Sequence, residues 1–166
     1  MLRFWYRFIF DQRDVIQNGF GEILFNEDQE GIVDFIARSF EDVALLWMDE
    51  QNRNGKLPVY YGTFRNYTVE NSRLNRSVEL DGLAEGLGRN KQHLLVVECK
   101  YRNKPFNKTM LTHLKESVSL FDTYEVIDYY LISKNGFTDD VMALHDPHIH
   151  RITLNDLFQS SENTNQ

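Results

Sequence analysis

The chain has 166 residues, enough for one domain with a buried core and too few for two ordinary ones. Hydrophobic residues make up 42% and aromatic residues 13%, which excludes a disordered chain. A net charge of -7 argues against coating nucleic acid through a bulk basic field but leaves room for a local basic groove, and a single Cys excludes an internal disulfide. No stretch reaches the roughly 18 continuous apolar residues of a membrane span, and no signal-peptide cleavage site follows the start, so the chain reads as cytoplasmic.

The opening Met-Leu-Arg-Phe-Trp-Tyr-Arg-Phe-Ile-Phe puts Leu2, Trp5, Tyr6 and Ile9 at helical spacing, which predicts a short amphipathic helix. So dense an aromatic start needs a surface to pack on, and it reads as the cut end of a longer protein. Residues 13–26, with Gly19 and Gly21, read as a connector. Asn26 and Gln29 resemble a capping pair, after which Ile32, Val33, Ile36, Phe40, Val43, Ala44 and Trp47 recur at helical period up to Asn54-Gly55. Pro58 opens an expected strand over 59–67, whose Tyr60, Tyr61, Phe64 and Tyr67 form a candidate partner surface. A polar turn is expected over 71–76. Strands over 78–83 and 93–101 flank a tight turn at 86–91. Asn107 caps an expected helix carrying Met110, Leu111, Leu114, Val118 and Phe121, and a strand follows over 126–133. Thr138 caps a short helix up to Leu144, 148–154 is a last edge strand, and the tail from Ser160 is polar and loose.

A strand, a helix and a further strand make one crossover, which implies a parallel pair, while the three strands before it form a meander. The predicted class is α/β: a mixed four- to five-stranded sheet flanked by helices, in the order α-β-β-β-α-β.

The chemistry gathers at the end of the strand over 93–101. Alternation places Leu94, Val96, Glu98 and Lys100 on one face and turns Cys99 away as an inert core thiol. If the preceding strand pairs across the 86–91 turn, Asp81 comes close to Glu98. Two carboxylates that near each other repel unless one is protonated or a cation lies between them. Such an oxygen site suits Mg²⁺ (or Mn²⁺), with phosphate and water completing the shell, and Lys100 would act on an attacking water. Glu79 shares a strand face with Asp81. The bland alternative is a surface Glu-Lys ion pair that does little.

Asp81-Gly-Leu-Ala followed by Leu95-Val-Val-Glu98-Cys-Lys100 resembles the PD-(D/E)XK nuclease superfamily, and Glu41 matches the helix glutamate that often completes its metal site. The wider chain, about residues 2–144, is similar to a C-terminal domain of unknown function found on archaeal-type AAA/STAND ATPases. That likeness rests on Leu2-Arg-Phe-Trp-Tyr-Arg-Phe, Ser39-Phe-Glu, Glu79-Leu-Asp-Gly-Leu-Ala, Glu98-Cys-Lys-Tyr and Tyr130-Leu-Ile-Ser-Lys-Asn-Gly-Phe-Thr, in that order. It implies a restriction-endonuclease-like core over 27–155, an aromatic arm over 1–26 joined to an ATPase part, and a flexible tail over 156–166. No phosphate-binding loop is present, so the chain itself should not hydrolyse ATP. Leu80 stands where the motif has proline. The resemblance makes Asp81 and Glu98 the Mg²⁺ ligands, supported by Glu41 and the Cys99 carbonyl, with Lys100 on the attacking water and DNA as substrate.

Arg102, Lys104, Lys108 and Lys115 form a basic stretch that either contacts phosphates or is a solvated face. His145, His148 and His150 lack a fourth ligand for zinc, and His93 and His113 read as structural. Two functions stand open: a Mg²⁺-dependent nuclease acting as the effector of a larger ATPase, and a catalytically silent module that docks on the ATPase or on a second copy of itself.

Overall fold

The computed structural model describes residues 2–71 and 76–159; most of the turn expected over 71–76 and the tail from residue 160 lie outside the described residues. Two compact units divide the chain, Met1–Ser39 and Phe40–Gln166. The first holds α1 (Leu2–Phe8), α2 (Arg13–Val15), α3 (Gly21–Glu27) and the start of α4 (Gln29–Arg53). The segment 13–26, expected as a connector, is helical: a π-helical stretch, Ile16–Phe20, joins α2 to α3. Gly19, at φ 89°, leaves the helical conformation for a left-handed geometry that glycine adopts without steric cost. Phe4 and Phe8 each pack on Phe35 with ring centroids 5.6 Å apart, so part of the aromatic start finds its partner inside its own unit. Trp5, Tyr6, Phe10, Phe20 and Phe25 stay exposed.

The second unit is α/β, built on a mixed five-stranded sheet. Its strands are β1 (Arg65–Asn71), β2 (Arg76–Glu85), β3 (His93–Lys100), β4 (Val126–Ser133) and β5 (Ile149–Thr153), adjacent in that order. The first three are antiparallel, and β3, β4 and β5 run parallel. Helix α5 (Lys108–Val118) carries the crossover from β3 to β4, and the short α6 (Asp139–Met142) that from β4 to β5. The Asn107 side chain accepts the Met110 N–H at 3.1 Å and fixes the start of α5, as its position predicts.

Strand β3 is the centre of both cores. Leu94, Leu95, Val96 and Val97 are fully buried, each contributing about 1.5–3 kcal/mol of burial. Leu95 and Val97 meet Phe40, Ala44 and Met48 of α4 on one face; Leu94 and Val96 meet Leu111, Leu114 and Val118 of α5 on the other.

Several expectations move. Val33, Ile36 and Val43 are exposed; the buried stripe of α4 runs through Phe40, Ala44 and Met48 at i, i+4 spacing, and Val43 lies off it. The strand expected over 59–67 starts only at Arg65. Ahead of it, the Asn52 side chain takes both backbone polar groups of Tyr61, at 2.8 and 2.9 Å, where a ladder would otherwise have been needed. Tyr61 and Phe64 are buried, so the four aromatic residues make no common partner surface. Helix α5 stops at Val118 rather than Phe121, and an unforeseen α7 (Leu154–Gln159) follows β5 and buries Leu157.

Candidate functional site

The site forms where the hairpin of β2 and β3 comes apart. The two strands pair from Glu85↔Leu94 to Gly82↔Val97, and the ladder ends there. Across the other edge of β2, the pairs Tyr67↔Leu80 and Arg65↔Leu83 leave Asn66 alone opposite Asp81 and Gly82. That is a β-bulge, which bends the strand and shifts its alternation by one residue. Leu80 therefore packs on the α5 side and Ala84 on the α4 side, although residues four apart on a regular strand share a face. A side chain at Gly82 would meet Leu45 at 2.5 Å and Val97 Cβ at 2.9 Å, so the bulge needs glycine here.

Asp81 spans the opened end of the hairpin, its Oδ2 accepting the Cys99 N–H at 2.7 Å. On β3, Lys100 Nζ lies 2.5 Å from Glu98 Oε1, and both side chains are largely buried. Burial pushes the Glu98 carboxyl up to about 7, and the nearby charges of Asp81 and Glu41 add to it, against the pull of Lys100. Asp81 is raised too, chiefly by burial, although the Cys99 N–H and Lys100 oppose the shift. Burial alone would lower Lys100, but Glu98 and Asp81 more than offset it and hold the ammonium firmly charged. Burial and the surrounding carboxylates push the Cys99 thiol well above its ordinary range, which makes it an inert core group. Asp81, Glu98 and Lys100 are thus brought together, with the charge of Glu41 felt at Glu98.

Residues 5–116, about two thirds of the chain, match DUF234, archaeal and bacterial proteins of unknown function. The chain belongs to that family. No curated protein and no solved structure matches it. The stretch shared with the family takes in Glu41, Asp81, Glu98 and Lys100 and ends inside α5. No helix among the described residues is long and apolar enough to cross a membrane.

A shallow cleft of about 180 Å³ opens beside this constellation in the family member described here. Glu79, Glu98 and Lys100 line it from the sheet, and Met110, His113 and Ser117 from α5. His113, which reads as structural in the sequence, is exposed and lines this cleft; its place depends on how α5 lies over the sheet, and nothing local signals that. Arg102 donates from Nη2 to Met110 Sδ at 2.8 Å, while Lys104 and Lys108 are exposed. Lys115 turns away to Asp146, 3.3 Å distant, and lies over the Tyr129 ring, so it does not extend a basic run beside the cleft. His148 and His150 converge on the Asp128 carboxylate, at 3.0 and 3.3 Å. Among the described residues no group of three or more His, Cys, Asp or Glu side chains is disposed to hold a metal ion.

The raised carboxyl has a consequence for stability. Between the ordinary value of 4.5 and about 7, Glu98 holds its proton in the folded chain and has lost it in the unfolded one. Stability therefore falls as pH rises through that window, by an amount on the order of 2 kcal/mol. Denaturant unfolding with chelator present should give a lower midpoint at pH 8 than at pH 5. A flat or rising profile would mean that Glu98 is not the strained group described.

Proposed function

We propose that the chain is a cytoplasmic, Mg²⁺-dependent nuclease domain with a restriction-endonuclease-like core, hydrolysing phosphodiester bonds of DNA. One observation carries this reading: two largely buried carboxylates, Asp81 and Glu98, meet at an opened hairpin beside Lys100, burial raises the cost of ionising both, and the Asp81 charge adds to that cost at Glu98. A hard cation relieves that cost. The donor set fits Mg²⁺ or Mn²⁺, which need only one or two carboxylates when water and phosphate supply the remaining oxygens. Asp81 and Glu98 would hold the ion, with Glu41 reaching it through water and the Cys99 carbonyl as a further oxygen. Bound there, the ion would acidify a water and neutralise charge on the phosphoryl oxygens.

The protein's own groups do the rest. The Cys99 N–H fixes one Asp81 oxygen and leaves the other for a ligand. With Glu98 given over to the ion, the Lys100 ammonium would orient the attacking water and stabilise the developing negative charge. Arg102, Lys104 and Lys108 lie between β3 and the start of α5 and would meet flanking phosphates.

Plasmid nicking by the full chain with Mg²⁺ tests this reading. Asp81→Ala should reduce the rate by at least about 100-fold. Equal rates for parent and variant would expose a contaminating enzyme and remove the reading.

The exposed Trp5, Tyr6, Phe10 and Phe20 of the first unit favour a second role alongside the first, docking on an ATPase part of a longer protein.

A further inference from the structure

Hydrolysis of a phosphodiester leaves a sugar alkoxide, a poor leaving group unless an acid protonates it as the bond breaks. On the proposed reading Glu98 and Lys100 of the sheet wall are already engaged, Glu98 with the neighbouring Asp81 on the cation and Lys100 on the attacking water, and Glu79 lies on that same wall. Any proton donor must come from the facing wall, since the leaving oxygen lies in line with the attacking one and on the far side of phosphorus. That wall is α5. Met110 and Leu114 have no proton to give, and the Ser117 hydroxyl is committed to the His113 carbonyl at 2.8 Å. His113 is what remains. It is exposed at the cleft, and histidine is the side chain suited to exchange a proton near neutrality.

We propose that His113 protonates the leaving oxygen, an inference that rests on the nuclease reading. In this step the water oxygen bonds to phosphorus and gives up a proton to solvent. The bond between phosphorus and the leaving oxygen breaks, its electron pair stays on that oxygen, and the His113 imidazolium supplies the proton there. The neutral ring then regains a proton from solvent, so atoms and charge balance.

The test compares the full chain with His113→Gln on duplex oligonucleotides that carry, at one linkage, either the natural bridging oxygen or a bridging sulfur, in 3′- and 5′-linked forms. A thiolate leaves without protonation, so sulfur in the leaving position removes the need for the acid. His113→Gln should slow the oxygen substrate about 100-fold and leave one of the two sulfur substrates within about 3-fold of the parent. Equal slowing on every substrate would assign His113 to positioning or folding, and no slowing would leave it without a part; either overturns the proposal. If the parent cuts neither oxygen nor sulfur substrate, the nuclease reading fails and takes this one with it, an outcome distinct from an active parent with an unaffected variant. His113 is exposed, so the variant should keep the parent's thermal midpoint, which separates chemistry from misfolding.

Discussion

Lys100→Met is expected to lower Mg²⁺-dependent nicking by about 100-fold or more while leaving Mn²⁺ binding in place. Methionine keeps an unbranched apolar stem in the same channel and removes only the ammonium, so lost packing does not explain the loss. The amine lies 2.5 Å from Glu98, and Asp81 also pulls it toward the charged state. In the absence of a cation it is the counter-charge to two crowded carboxylates. Removing it should therefore weaken the fold in chelator and make the variant gain more thermal stability from added Mn²⁺ than the parent gains. Nicking at the parent rate would show that the amine has no part in the reaction. An unchanged response to Mn²⁺ would show that it does not neutralise the carboxylates.

The second large effect lies on a different strand. Asp128 is buried in β4, where its carboxylate accepts from the Tyr61 hydroxyl at 3.0 Å and lies against His148 Nδ1 and His150 Nε2. Burial alone would raise this carboxyl. The partners His150, His148 and Tyr61 more than offset burial and hold it below the ordinary range. Asp128→Asn presents an amide N–H₂ to groups arranged to donate, and should cost about 2–4 kcal/mol at pH 7. Because the folded carboxyl is the stronger acid, the unfolded chain binds the extra proton below the ordinary value of 3.8. The stabilisation is therefore complete above that pH and is lost as pH falls through the folded value. Denaturant midpoints of parent and variant should differ most near neutrality and converge below about pH 4. A difference that persists unchanged into acid would assign the effect to packing rather than to ionised Asp128.

The sheet and the acidic constellation were legible because their signals are local. Leu94 to Val97 form an unbroken apolar run, the turn at 86–91 reads as a hairpin, and period-2 alternation places Glu98 with Lys100. The bulge at Asp81 and Gly82 was not legible, since it shows only as a slipped register against β1. It changes which face each residue of β2 serves. The aromatic run at 59–64 misled because β propensity measures fit to a half-buried surface, and here the Asn52 amide and the α4 core provide that surface with an isolated bridge, Tyr61 to Gly86, in place of a strand. His148-Ile-His150 was visible as a pair on one strand face. Its partner Asp128 was not, because the parallel pairing of β4 with β5, Tyr130 against His150, follows from a crossover that the sequence does not dimension. The same holds for His113, whose meaning depends on the seat of α5.

The proposed chemistry requires that Asp81 and Glu98 share one divalent cation beside Lys100. Anomalous diffraction from crystals of the full chain soaked in Mn²⁺ tests it most directly. A peak is expected within coordination distance of one carboxylate oxygen from each of Asp81 and Glu98, with the Lys100 amine turned off Glu98. A soaked crystal with no peak there, or with manganese only at Asp128, His148 and His150, would contradict it.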